Sequence, residues 1–206
     1  ASRPLEPLIY PHGGPTPKMK DWHAFEQLAE EIFSTQLAKS LKDIYWDVRP
    51  KPEFGTIEVR VFDTPLSVHK AVGLAAFTRA CAALALNGTL TLPTTPAPPT
   101  AERVSRFLAC RDGLDANLFD PFTQAWRPAR EWLQALVDTV AQAPVCAADL
   151  RHIRAVHTHC LKEQDAAIMR RTWESALNHD FDIQSRDHAQ SKYSQELSLL
   201  LLKECG

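Results

Sequence analysis

Residues 41–65 read LKDIYWDVRPKPEFGTIEVRVFDTP, and this stretch decides the fold class. Apolar and polar residues alternate from Asp43 to Arg49 and again from Thr56 to Asp63, with β-branched and aromatic residues in both runs. A period of two in such residue types predicts two β-strands. Two prolines and a glycine between the runs predict an irregular connection.

Alternation assigns the side chains of these strands to two faces. Ile57, Val59 and Val61 share one face, which we expect to be core. The opposite faces of the two strands would form one wall from Tyr45, Asp47, Arg49, Glu58 and Arg60. An antiparallel sheet that is covered on one side shows charged residues to water on the other, so a plain solvated face is the first interpretation of this wall.

A second interpretation of the wall is chemical. Glu58 offers hard oxygens that suit a divalent cation such as Mg²⁺. Arg60, two residues further along the same strand, offers a forked donor for phosphate or carboxylate oxygens. Such a pair, shielded from water, can help to hold Mg-ATP or an acyl phosphate.

Apolar residues recur at helical spacing in the sequence before and after the two predicted strands. Asp21 is a good N-cap for an amphipathic helix that continues to about Lys39. Thr64 and Pro65 predict the start of an apolar helix that reaches about Leu86 and lies against the sheet. Further helical patterns fall at about residues 100–112, 128–142, 147–178 with a break near Glu163, and 187–203.

A proline-rich segment, NGTLTLPTTPAPP at residues 87–99, divides the chain. It has few residues that can pack, which is typical of a surface linker. We therefore predict a strand-containing part at residues 1–88, a linker at 89–99, and a helical part of the same domain at 100–206.

Composition disfavours several classes of function. The net charge is −2, so we expect no nucleic-acid binding. The apolar stretch at residues 71–86 carries Arg79 and is shorter than the roughly 20 residues that a membrane span needs, so we expect no membrane partner. Five scattered cysteines without a CxxC pair favour a reducing, cytoplasmic compartment.

Other catalytic motifs are missing from the sequence. There is no GxSxG motif for a serine hydrolase and no GxxxxGK phosphate loop, so an ATP site would have to be built from a sheet and a metal. His152, His157, His159 and Cys160 do not predict zinc, because residues two apart on a helix face different ways.

This stretch resembles the signature of the glutamate-cysteine ligase type 2, or carboxylate-amine ligase, family. The resemblance lies in the order of its motifs, which are RP, a Pro-containing connection, FGT, EVRV and DTP. The residues that carry the resemblance are Arg49, Pro50, Phe54, Gly55, Thr56, Glu58, Arg60, Asp63, Thr64 and Pro65. The IEVR core is also similar to a strand of glutamine synthetases. The resemblance implies an α+β, glutamine synthetase-like fold, in which an antiparallel sheet has helices packed behind it.

A second block, SRFLACRDGLDANLFDPFT at residues 105–123, resembles the arginine-rich helix and Asp-Pro-x-Thr loop of the same family. Its matching residues are Arg106, Arg111, Gly113, Leu114, Asp120, Pro121 and Thr123. The family tends to have Asn at the position of Ser105. Arg106 and Arg111 are either anion contacts or members of structural salt bridges.

The predicted site follows from the resemblance. Glu58 and Arg60 are the predicted catalytic residues, and Glu58 is the predicted metal ligand. The predicted substrate or phosphate contacts are Tyr45, Arg49, Arg60, Arg106 and Arg111.

The resemblance implies an ATP- and Mg²⁺-dependent ligase that joins glutamate to an amine such as cysteine through an acyl phosphate, as in glutathione biosynthesis. Further acidic ligands of the family come from a Gly-x-Glu-x-Glu strand that these residues lack, and the chain opens on Ala1 rather than Met. We therefore expect the C-terminal half of an enzyme, with the N-terminal half as its partner and a homo-oligomer possible. The alternatives are a non-catalytic interaction or scaffold domain derived from this fold, and a ligase with another amine acceptor.

Overall fold

The computed structural model of the protein describes residues 3–90, 93–177 and 193–196. Its helices are α1 (Trp22–Ser34), α2 (Val68–Leu86), α3 (Pro99–Asp112), α4 (Ala129–Val140), α5 (Ala147–Lys162) and α6 (Asp165–Leu177). Its strands are β1 (Gly13–Gly14), β2 (Tyr45–Trp46), β3 (Val48–Lys51), β4 (Thr56–Val59), β5 (Asn117–Asp120) and β6 (Ala125–Pro128). They form three two-stranded sheets, β1 with β2, β3 with β4, and β5 with β6. This mixture of helices and small sheets agrees with the predicted α+β class.

Strands β3 and β4 form the antiparallel pair that the sequence predicts. Arg60 donates its N–H to the Asp47 carbonyl at 2.7 Å, which sets the hydrogen-bonded rungs at every second residue. Pro50 therefore lies opposite Ile57 at a rung that needs no N–H. Gly55 closes the connection with a left-handed φ of 61°, a conformation that glycine adopts without steric cost.

The two strands are shorter than the predicted runs at residues 43–49 and 56–63. β2 pairs in parallel with β1, and the chain changes sheets at Asp47. The Asp47 N–H donates to the Gly14 carbonyl at 2.8 Å, while its own carbonyl serves the β3–β4 pair. One alternating run thus contributes to two sheets.

Helix α1 begins where the sequence predicts. The Asp21 carboxylate accepts the Ala24 N–H at 2.9 Å, so Asp21 is the N-cap. The helix ends at Ser34, before the predicted Lys39, because Gln36 has a φ of 61° that breaks the helix. The core between α1 and β2 contains Phe25, Ile32, Ala38, Ile44 and Trp46.

Helix α2 has a different N-cap from the predicted Thr64. Ser67 caps it by accepting the Lys70 N–H on its hydroxyl oxygen at 3.2 Å. The helix buries its side chains against α4 and α5 rather than against a sheet. The shared core contains Ala76, Ala80, Leu84, Val137, Val140, Ala143 and Ile153.

The remaining elements agree only partly with the sequence patterns. The predicted break near Glu163 is confirmed, because α5 ends at Lys162 and α6 begins at Asp165. The β5–β6 hairpin was not predicted from the sequence. The predicted helix at residues 187–203 lies outside the described residues except for 193–196, which are helical.

Helices from both sides of the proline-rich segment share one core, since α2 precedes it and α4 and α5 follow it. The division into residues 1–88, 89–99 and 100–206 stays a prediction. In the described ranges, each helix is too short or too polar to cross a bilayer.

Candidate active site

The β3–β4 register places Arg49 directly opposite Glu58. The Arg49 guanidinium donates to one Glu58 carboxylate oxygen through Nη2 at 2.6 Å and through Nε at 3.2 Å. Both donors converge on the same oxygen in a charge-assisted contact, which is stronger than a hydrogen bond between neutral groups. The two residues that alternation placed on one wall are therefore brought together.

Arg49 lies on this wall, but the backbone of residues 41–44 covers it. Its side chain is only 3% exposed, and Nη1 donates to the carbonyls of Leu41, Lys42 and Ile44 at 2.7, 2.9 and 3.0 Å. These bonds tie β3 to the 3₁₀ turn that precedes β2. In this geometry Arg49 anchors Glu58, and its predicted contact with substrate or phosphate stays a prediction.

Arg60 holds the other side of Glu58. Its Nη1 donates to the second carboxylate oxygen at 3.3 Å, and its guanidinium lies over the Tyr45 ring, 5.3 Å from the centroid. Tyr45 in turn stacks on Tyr10 with the ring centroids 4.3 Å apart. The aromatic pair therefore orients the guanidinium that the sequence predicts to contact phosphate or substrate.

The charge state of Glu58 reflects these neighbours. Partial burial alone would raise its pKa, but the hydrogen bond and charge of Arg49, together with the charges of Arg60 and Lys51, lower the pKa below its ordinary value. The side chain is 36% exposed, so an ionised carboxylate remains accessible between two guanidinium groups.

The face that was predicted to be core is not buried on β4. Ile57 is 56% exposed, and Val59 is only partly buried. Both line an open apolar groove between β4 and α2, since α2 directs its buried side chains to α4 and α5. Alternation correctly separated the two faces of β4, but the expectation of a core beneath Ile57 is wrong.

The second sequence block reaches the wall through one arginine. Arg106, on α3, pairs with the Asp47 carboxylate at 2.5 and 3.2 Å, and both side chains are 14% exposed. Ser105 accepts the Phe119 N–H on its hydroxyl oxygen at 2.8 Å, which joins α3 to β5. A hydroxyl thus makes a backbone contact at the position where the family tends to have an amide.

Arg111 lies on the exposed side of α3. It pairs with Asp112 at 2.7 and 2.8 Å and lies over the Phe107 ring. Asp120 of the Asp-Pro-x-Thr loop is buried and accepts the Phe122 N–H at 2.9 Å. These contacts are structural, and the predicted anion contact of Arg111 stays a prediction.

A cleft of about 490 Å³ opens beside Glu58 and Arg60, and we call it the charged cleft. Its polar lining consists of Arg3, Glu6, Glu58, Arg60, Asp63 and Thr64. Sequence reasoning missed Arg3, which donates its backbone N–H to Asp63 at 3.2 Å and its Nε–H to the Arg60 carbonyl at 3.3 Å. No local pattern could show a contact between residues so far apart in the chain.

The residues around Glu58 fit one ligand position of Mg²⁺ rather than a complete site. Mg²⁺ takes about six oxygens in a near-octahedral arrangement. Among residues 3–90, 93–177 and 193–196, no group of three or more His, Cys, Asp or Glu side chains is placed to hold a metal ion. Glu58 also shares its oxygens with two arginines.

Comparison with known proteins finds one family. Residues 10–181 match the family described as "Glutamate-cysteine ligase family 2". A protein of Acidovorax sp. (strain JS42) is 41% identical over 140 residues, covering 66% of this chain and 36% of the relative. One from Bordetella avium (strain 197N) is 46% identical over 124 residues, covering 58% and 29%.

A protein of Dechloromonas aromatica (strain RCB) is 38% identical over 133 residues, covering 65% of this chain and 34% of its own length. All three relatives carry the name "Putative glutamate--cysteine ligase 2". The chain thus spans about a third of the length of the curated relatives that it matches. Because the family match covers most of its residues and includes the β3–β4 wall, the chain belongs to glutamate-cysteine ligase family 2.

Proposed function

We propose that this chain is part of an ATP-dependent carboxylate-amine ligase that forms an amide through an acyl phosphate. The observation that carries the proposal is the Glu58 carboxylate held between Arg49 and Arg60 at the edge of the charged cleft. The family match and the names of the relatives support the same class of reaction.

The proposed reaction has two steps. The γ-phosphoryl group of ATP is transferred to the side-chain carboxylate of glutamate, giving an acyl phosphate and ADP. The amine of cysteine then attacks the acyl carbon, a C–N bond forms, and phosphate leaves with the electrons of the broken C–O bond and takes up the proton that the nitrogen loses. The product is a γ-glutamyl amide, which would place the enzyme in glutathione biosynthesis.

Arg60 would stabilise anionic oxygens in this reaction. Phosphoryl transfer depends mainly on positioning and on compensation of charge. Arg60 lies in the cleft lining with its guanidinium fixed by Glu58 and Tyr45, so little reorganisation is needed when an anion binds. Arg49 would act by holding Glu58 in place.

Mg²⁺, when bound, would neutralise charge on the phosphate oxygens. Glu58 would be one of its ligands, and the others would be phosphate oxygens and acidic residues from the part of the relatives that this chain does not match. We therefore propose that the chain forms the C-terminal portion of a glutamine synthetase-like fold. The remaining N-terminal part and other copies of the enzyme would be its partners.

Glu58→Gln in the complete enzyme tests the proposal. The amide keeps the size of the side chain but removes its charge, so ADP release that depends on glutamate and cysteine should fall by about 100-fold or more. Glu53→Gln is the matched control, because Glu53 lies in the same hairpin and is half exposed. Turnover of that control should be unchanged.

A non-catalytic scaffold or interaction domain is the second candidate. The observation in its favour is that both Glu58 oxygens already accept hydrogen bonds from arginines. For this candidate Glu58→Gln would reduce stability alone and leave ligase turnover intact. A ligase with another amine acceptor would show the same ATP chemistry but prefer a different amine in competition with cysteine.

A further inference from the structure

The outer edge of strand β4 carries backbone groups that β3 does not use. The hydrogen bonds between β3 and β4 run through the rungs at Thr56, Glu58 and Arg60. The N–H and C=O groups of Ile57 and Val59 therefore point away from β3. Within residues 3–90, 93–177 and 193–196, β3 is the one strand that pairs with β4. The outer edge can therefore accept a further strand.

The side chains of β4 leave this edge open as well. Ile57 is 56% exposed and lines the apolar groove between β4 and α2, which has a volume of about 490 Å³. The α2 side of the groove includes small side chains that leave room for an incoming strand, namely Ala71, Ala75, Thr78 and Ala82. Residues 56–60 contain no Lys or Pro, the residue types that commonly protect an exposed edge from pairing.

The sequence of this edge is complementary to itself. Residues 57–61 read IEVRV. When two copies align antiparallel about Val59, each Glu58 lies opposite the Arg60 of the other copy, and each Ile57 lies opposite Val61. A register centred on Glu58 would instead place two carboxylates directly opposite each other, which is unfavourable. The Val59 register also makes its central rung a hydrogen-bonded one, because the Val59 N–H and C=O both point outward.

We propose that the chain forms a two-fold symmetric dimer in which the β4 edges of two copies pair antiparallel about Val59. The two hairpins then make one four-stranded sheet in the order β3–β4–β4–β3. The exposed apolar face of each β4 is covered by the other copy. Arg60 of the second copy lies beside Glu58, so each charged cleft gains a guanidinium from the other copy. The inference does not depend on the proposed reaction.

Sedimentation velocity of the 206-residue chain without substrates tests the association. Between about 5 and about 500 µM the sedimenting species should change from a 23.1 kDa monomer to a dimer, with a Kd of about 1–100 µM, as expected of a small interface. Species larger than a dimer should not form, because a two-fold contact uses the edge of each copy once and closes.

Two variants with a matched control locate the interface. Val59→Pro removes the donor at the centre of the dimer but no hydrogen bond to β3, so it should abolish the dimer. Ile57→Lys places a charge on the apolar face and should weaken the dimer at least about tenfold. Leu37→Lys makes the same change at an apolar side chain that is 70% exposed after α1, and it should leave the dimer unchanged. Circular dichroism checks that each variant is folded.

Cysteine variants test the register. In Val59→Cys the two Cα atoms lie about 5.5 Å apart across the central rung, a separation that a disulfide can span. In Ile57→Cys the two new cysteines lie about 13 Å apart, because each is opposite residue 61 of the other copy. After mild oxidation, peptide mapping should find a 59–59 disulfide and no 57–57 disulfide. Mapping distinguishes these links from any that involve the five native cysteines.

The inference is overturned if the chain sediments as a monomer at every concentration, which would leave the β4 edge to a strand from the N-terminal part of the complete enzyme. It is also overturned if folded Val59→Pro and Ile57→Lys variants dimerise as tightly as the parent chain. A 57–57 disulfide as abundant as the 59–59 disulfide, or no 59–59 disulfide, would exclude the proposed pairing. A complete enzyme without ligase turnover would refute only the proposed function, because these measurements contain no ATP.

Discussion

At the scale of single residues, the wall separates into groups with different tasks. Arg49 and Arg60 both bind Glu58, yet the first is buried under three backbone carbonyls and the second lines a cleft. Alternation cannot distinguish the two, because both residues lie on the same side of their strands. The difference arises from the 3₁₀ turn at Leu41–Asp43, which covers Arg49.

Arg49→Ala should destabilise the chain strongly. The change leaves the Glu58 carboxylate and three carbonyls without their donor, so the free energy of unfolding should fall by about 3–5 kcal/mol. Urea denaturation followed by circular dichroism measures this loss. Arg111→Ala removes an exposed arginine and should cost about 0.5 kcal/mol or less. Equal losses in the two variants would contradict an anchoring role for Arg49.

The residues of the site could be predicted only where a local rule applies. Strand parity, which needs no knowledge of the rest of the fold, places Glu58 and Arg60 on one face, and their predicted roles come from the family resemblance. Parity separates the side chains into two faces, but it does not show which face is covered by the rest of the protein. For this reason Ile57 was expected in the core, whereas it is exposed. Arg3 could not be predicted, since its place in the cleft depends on contacts with residues about 60 positions away.

At the scale of elements, the sequence predicts where the helices lie better than it predicts which elements they pack against. The apolar composition of α2 predicts burial, but the partner was expected to be the sheet and is α5. The two helices approach closely at Gly73, where an added Cβ would lie 2.6 Å from the Val156 Cβ. The β5–β6 hairpin was missed because Asn117–Asp120 and Ala125–Pro128 are not part of longer alternating runs such as residues 43–49 and 56–63, which include β3 and β4.

Gly73→Ala should therefore destabilise the chain, although alanine is favoured over glycine in helices by about 1 kcal/mol. The new methyl group would force α2 and α5 apart, and the free energy of unfolding should fall by about 1–3 kcal/mol. The control is Ala71→Gly on the exposed side of α2, which should cost about 1 kcal/mol from helix preference alone. An increase in melting temperature for Gly73→Ala would show that the two helices are not in close contact.

At the scale of the whole molecule, contacts cross the proline-rich segment at residues 89–99. Lys70 pairs with Asp165, Arg79 pairs with Asp149, and Asp47 pairs with Arg106. The composition of this segment predicts a linker, but it does not predict which residues on its two sides contact each other, because ion pairs leave no periodic signal in the sequence.

The Asp47–Arg106 pair should contribute measurably to this connection. A double-mutant cycle with Asp47→Asn and Arg106→Gln should give a coupling energy of about 1–2 kcal/mol, because both side chains are largely buried. Chemical denaturation of the parent chain, the two single variants and the double variant supplies the four values. A coupling energy below about 0.3 kcal/mol would mean that the two parts are held together by other contacts.

Asp47 has a consequence beyond its own ion pair. Its N–H donates to the Gly14 carbonyl, and its carbonyl accepts the Arg60 N–H. Its carboxylate accepts a hydrogen bond from Arg106, so a single residue joins three distant segments. A displacement of α3 would be transmitted through this junction to the backbone that carries the Arg60 guanidinium. The docking of α3 and the orientation of the Arg60 guanidinium would therefore change together.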